Sequence, residues 1–121
     1  MKDHEWAKSS DTMKARFEAG VAGIEDLEQR QMFGYPAAFI GGNLTTSLHR
    51  ESWIVRLSDA ERAELATRGW SEFEPMPGRP MRGYVVMPEE IAADPDQARG
   101  SVERAAAYVR TLPPKAPRKK R

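Results

Sequence analysis

The sequence predicts an α+β domain: an antiparallel sheet of about five or six short strands with an N-terminal helix, a short middle helix and a C-terminal helix. Three observations predict it. Apolar residues recur at helical spacing in three separate stretches, and β-branched and aromatic runs lie between glycine- and asparagine-rich turn signals. A composition of 40% hydrophobic and 31% charged residues over 121 positions suits one domain with a buried core and a charged surface.

Residues 1–9 are polar and aperiodic and read as a flexible arm, in which Trp6 is the one side chain able to dock. Ser10 or Asp11 then caps a helix predicted over Asp11–Ala22, whose stripe is Met13, Phe17, Gly20, Val21 and Ile24. Gly20 and Gly23 weaken its last turn, and Gly23 offers a left-handed stop. Leu27–Phe33 reads as a strand. Pro36–Ile40 and Leu44–Leu48 flank Gly41-Gly42-Asn43, whose residues accept the positive φ of a tight hairpin turn. Trp53–Leu57 follows the polar turn His49–Ser52 and completes a meander.

Ser58 and Glu61 have the spacing of a capping box, which starts a helix over Asp59–Thr67, stopped by Gly69. Trp70–Glu74 reads as a strand. Phe73–Met81 then holds three prolines and a glycine in nine residues, with Pro77-Gly78 suited to the centre of a type II turn. Arg82–Met87 is the last strand, closed by Pro88. Asp94 and Pro95 open a helix over Asp94–Leu112, with Ala98, Val102, Ala105, Ala106, Val109 and Leu112 as its stripe. Pro113-Pro114 ends it, leaving a single domain over residues 10–114 and a basic tail over 115–121 expected to be disordered. Each helix has one apolar stripe, so all three should cover one face of the sheet.

Charge narrows the function classes. Nineteen Lys and Arg oppose 18 Asp and Glu, but five of the basic residues lie in the last seven positions, so the body before Lys115 carries a net charge of −4. A duplex-DNA reader usually carries a basic face on its folded body. Here the expectation is at most weak, salt-sensitive attraction of nucleic acid to the tail. There is no cysteine, which excludes disulfides, thiolate metal sites and cysteine nucleophiles. No apolar run is long enough to span a bilayer, so no membrane contact is expected, and the lack of cysteine makes a cytoplasmic location the default expectation.

Catalytic patterns are absent. The two histidines, His4 and His49, form neither HxH nor HExxH spacing, and a zinc site needs three or four convergent ligands. Ser47 and His49 share a strand face, but no orienting acid or oxyanion hole accompanies them. Glu25-Asp26, Glu72 with Glu74, and Glu89-Glu90 read as solvated turn charges. Neither phosphate-loop signature occurs. No cofactor, metal or catalytic residue is therefore expected.

What remains is a pair of loops. Met32–Pro36 and Phe73–Met81 place aromatics, methionines, glycines and prolines at strand ends, as a shallow binding surface does. Phe33, Tyr35, Met76, Arg79, Met81 and Arg82 are the candidate recognition residues, with Arg79 and Arg82 as anion contacts. If the strands bearing the loops are neighbours, Tyr35, Met76 and Arg79 share one sheet edge.

Met32-Phe33-Gly34-Tyr35-Pro36, the segment to Asn43, Phe73–Met81 with Tyr84-Val85-Val86, and the closing Tyr108–Lys115 together resemble the TfoX/Sxy N-terminal-domain family, in particular its short stand-alone bacterial members. The likeness spans about Met13 to Lys115. It implies an α+β domain with an antiparallel sheet and an association with the regulation of natural competence and transcription. It supplies no catalytic residues. Longer members carry a second, helical domain, which is expected to be absent here because only a basic tail follows Pro114. The expectation is a non-enzymatic regulatory or interaction domain acting through a protein partner, compatible with a homodimer. The alternative is a small-molecule-binding domain or cryptic enzyme using the same two loops.

Overall fold

Two-residue turns build the first half of the sheet. Strand β1 (Glu28–Met32) pairs antiparallel with β2 (Tyr35–Ile40) around Phe33-Gly34, and β2 pairs with β3 (Asn43–His49) around Gly41-Gly42. These contacts come from a computed structural model, which describes residues 8–115. Of the flexible arm expected over residues 1–9 and the disordered tail expected over 115–121, residues 1–7 and 116–121 lie outside the described residues.

Strand β4 (Ser52–Arg56) continues the meander. The chain then leaves the sheet through helix α2 (Asp59–Ala66) and returns as β5 (Ser71–Glu72) and β6 (Tyr84–Val86). Strand β6 inserts between β4 and β5, giving a six-stranded antiparallel sheet of order β1-β2-β3-β4-β6-β5. Helix α1 (Asp11–Val21) precedes the sheet, and α3 (Glu89–Ala92) and α4 (Pro95–Val109) follow it. The α+β expectation is met, with one helix added. The single turn of α3 begins directly after Pro88, which had been read only as the end of a strand.

The helix caps follow the sequence. Ser10 accepts from the Met13 amide, Ser58 and Glu61 form the reciprocal capping box, and Asp94 accepts from the amides of Asp96 and Gln97. The chain ends of the domain are more firmly held than expected. Ser9, assigned to the arm, is 5% exposed and donates its hydroxyl to the Arg50 carbonyl at 2.6 Å. Lys115, assigned to the tail, donates its amide to the Gly41 carbonyl at 2.7 Å.

The main core lies between the helices and one sheet face. Trp53 is its largest fully buried side chain. Its indole packs 5.7 Å from the Phe17 ring and donates through Nε1 to Thr46 Oγ1 at 2.9 Å, while Thr46 donates onward to the Ile54 carbonyl at 2.7 Å. The buried indole N–H is thus satisfied. Gly20 has a reason that the helical pattern alone does not reveal. A Cβ there would stand 2.7 Å from the Trp53 ring, so glycine lets the indole lie against the backbone of α1.

A second, smaller core lies on the opposite face. Ala37, Leu44, Ile54, Phe73 and Tyr84 form it, with Met32, Phe39, Met81 and Val86 packed around them. No helix covers this face among the described residues; the segment between β5 and β6 folds back over it.

Candidate functional site

The segment between β5 and β6 is pinned at its base. Phe73 donates its amide to the Tyr84 carbonyl and accepts from the Met81 amide at 2.8 Å. At its tip Arg79 donates to the Met76 carbonyl around Pro77-Gly78, and Gly78 takes the positive φ of 77° that the type II turn requires. Phe73 itself is buried, so the loop leaves the sheet with an aromatic anchor turned onto the helix-free face.

Phe73 meets His49 there. Their ring centres lie 5.3 Å apart, and His49 lies 5.2 Å from Tyr35 on its other side. Around this trio opens a cleft of about 300 Å³. Leu44, Ser47, Leu48 and Ile54 line it from the strands, Phe73, Pro75 and Met81 from the loop, and Met32, Phe33 and Tyr35 from the β1–β2 hairpin. Tyr35, Ser47 and His49 are the polar side chains in an otherwise apolar lining. Burial, and secondarily the charge of Arg50, holds the His49 imidazole below its ordinary pKa, so it faces the cleft uncharged at neutral pH.

Phe33 forms the lip. It is 91% exposed and occupies the left-handed region at φ 56°, beside Gly34 at φ 83°. Two positive φ values in succession make a type I′ turn, where asparagine or glycine is the ordinary first residue. A bulky aromatic in that position is a strained outlier.

The two predicted loops therefore meet, though not as expected. Strands β3 and β4 separate β2 from β6, so the motifs share no sheet edge. They converge across the helix-free face because the Phe73–Met81 loop doubles back over it. The cleft brings together Phe33, Tyr35 and Met81. Met76, 60% exposed, and the exposed Arg79 and Arg82 lie outside its lining. Arg79 makes no ion pair among the described residues.

The sequence places His49 at the start of a polar turn and outside the candidate recognition residues; it is half-buried at the centre of the site. The available signal was alternation along β3, which puts Leu44, Ser47 and His49 toward the cleft once the bulge between Ala38 and Phe39 is allowed for. One acidic pair also departs from its reading: Asp26 accepts two hydrogen bonds from Arg110, each 2.8 Å long, which lower its pKa.

Other grooves are more polar. One of about 280 Å³ between α2, α3 and α4 includes Arg68, Glu90, Gln97 and Arg104; one of about 460 Å³ between α1 and the first hairpin includes Lys8, Lys14, Glu18 and Arg30. Among the described residues no group of three His, Asp or Glu side chains is placed to hold a metal ion, and no helix is long and apolar enough to cross a membrane.

Comparison with known families fits this architecture. The sequence profile of the TfoX N-terminal domain matches residues 19–108, from the end of α1 through nearly all of α4. The chain belongs to the TfoX N-terminal domain family. The matched span contains the whole sheet, both loops and every residue that lines the cleft, so the cleft is part of the TfoX N-terminal domain and not of an appended segment. No curated protein matches the chain closely enough to add an activity.

Proposed function

We propose that this TfoX N-terminal domain is a non-enzymatic interaction module in a regulatory circuit, and that it recognises a protein partner by taking an apolar side chain into the cleft on its helix-free face. The observation that carries the reading is Phe33, an exposed aromatic kept in a strained left-handed turn at the lip of that cleft. Strain at such a position persists where the local shape serves a purpose. An exposed aromatic beside an apolar hollow is the composition of an interface centre.

The cleft volume of about 300 Å³ is at the lower end for a small-molecule site and suits one or two anchoring side chains. The net charge of −4 on the body favours a protein over duplex DNA as the partner. Met76 and Arg79 stand on the exposed loop tip, where they would form the rim of the contact.

Selection of displayed peptides against the full chain tests this reading. Enriched peptides should share an aromatic or aliphatic anchor and should lose binding to Met81→Glu and to Phe33→Ser. Peptides that bind all three chains equally would place recognition elsewhere.

A further inference from the structure

The sheet ends on two unequal edges. At one, β5 is two residues long, too short to template another strand. At the other, β1 runs for five residues, keeps an unbroken register against β2 from Glu28 to Met32, and contains no proline. No strand pairs with its outer side among the described residues, so its outward amides and carbonyls can accept a further strand.

The side chains of β1 do little for the core: Glu28, Gln29, Arg30 and Gln31 are all exposed. Met32 packs on the smaller core, and the Arg30 guanidinium lies 4.4 Å from the centre of the Phe39 ring, so Glu28, Arg30 and Met32 face the helix-free side. Gln29 and Gln31 line the groove against α1. Within the strand, Glu28 and Arg30 form an exposed ion pair 3.5 Å long. The order Glu28-Gln29-Arg30 is self-complementary. Turned about a two-fold axis through Gln29, each Glu28 stands opposite Arg30 of the other copy, at cross-strand distance. Centred on Glu28 or on Arg30, the register would set like charges face to face. Centred on Gln31, it would set Arg30 against methionine.

We propose that β1 is a homodimer interface, at which a second copy of this chain adds its own β1 antiparallel about a two-fold axis at Gln29. The four charges then alternate around a square, with each carboxylate between two guanidinium groups. On the other face the two Gln29 side-chain amides meet and can bond each other. The pairing doubles the six-stranded sheet. Its axis is perpendicular to the sheet, so both helix-free faces look the same way. The interface does not depend on the reading of the cleft; taken with it, the dimer presents two clefts to a partner that carries two anchors.

Sedimentation velocity of the full chain over a concentration series tests the interface. The parent should show a reversible monomer–dimer equilibrium that weakens as salt is added, because the ion pairs are exposed. Glu28→Arg and Arg30→Glu each replace two attractive cross-strand pairs by two repulsive ones, and each should weaken the dimer about tenfold. An equimolar mixture of the two variants brings unlike charges together again and should recover a heterodimer. The double variant Glu28→Arg/Arg30→Glu should recover the homodimer. A parent that stays monomeric at every concentration of the series overturns the proposal. A dimer that neither single variant weakens lies on another surface and also overturns it. So does a loss in the single variants that neither the mixture nor the double variant repairs, because it reports a general disturbance of the chain and not a pairing of Glu28 with Arg30.

Discussion

The imidazole of His49 lies 5.3 Å from the ring of Phe73 at an interplanar angle of 67°. This edge-on contact joins the strand floor of the cleft to the loop that walls it. Residues 24 positions apart in the chain thus meet on a face that no helix covers among the described residues, and the site depends on that meeting.

His49 makes the site sensitive to acid. Burial lowers its pKa in the folded chain relative to the ordinary value of about 6.5. The unfolded chain then binds more protons between the two values, so stability rises with pH across that window and falls as pH drops below about 6.5. Denaturant titrations at about pH 7.5 and about pH 5.5 should show a larger loss on acidification for the parent than for His49→Gln. Equal losses would show that His49 is not held neutral by its surroundings.

Phe33→Asn separates stability from recognition. Asparagine tolerates positive φ, so the variant should recover about 1 kcal/mol of the left-handed strain, seen as a gain of stability in thermal or chemical unfolding. Its affinity for an apolar probe should nevertheless fall, because the lip of the cleft is gone. A loss of stability would show that the Phe33 ring packs on the body despite its exposure.

Gly20→Ala inverts the usual rule for helices. Alanine normally stabilises a helix interior relative to glycine by about 1 kcal/mol. At this position the new Cβ meets the buried Trp53 ring at 2.7 Å, and overpacking of this kind costs about 1–3 kcal/mol. A lowered unfolding midpoint is expected; a raised one would mean that Trp53 can shift freely.

Thr46→Val removes the relay inside the core. The indole N–H of Trp53 and the carbonyl of Ile54 both lose their Thr46 partner while staying buried. Unsatisfied buried groups cost about 1–3 kcal/mol, which should appear in the denaturation midpoint although the side-chain volume hardly changes.

Local physics explains which parts of this architecture were legible. Ser10, Ser58 and Asp94 announced their helices because a cap acts on amides within three residues, and Gly41-Gly42 announced its hairpin because the turn needs positive φ. Strand order was not legible. The insertion of β6 between β4 and β5 depends on pairing across the α2 excursion, which leaves no local signature. That is why the two loops were expected on one edge when they meet across a face. It is also why Met76, Arg79 and Arg82 were grouped with Phe33, Tyr35 and Met81, and why His49 was passed over. A residue's place in a cleft follows from distant chain, here Phe73 arriving over β3.

Amide chemical-shift mapping of the isotopically labelled full chain, titrated with 1-anilinonaphthalene-8-sulfonate, tests the central claim most directly. The account predicts that the largest shifts fall on Phe33, Tyr35, Ser47, His49, Phe73 and Met81, and that they shrink in Met81→Glu. Shifts concentrated instead on Arg68, Gln97 and Arg104, in the groove between the helices, would contradict the assignment of recognition to the helix-free face.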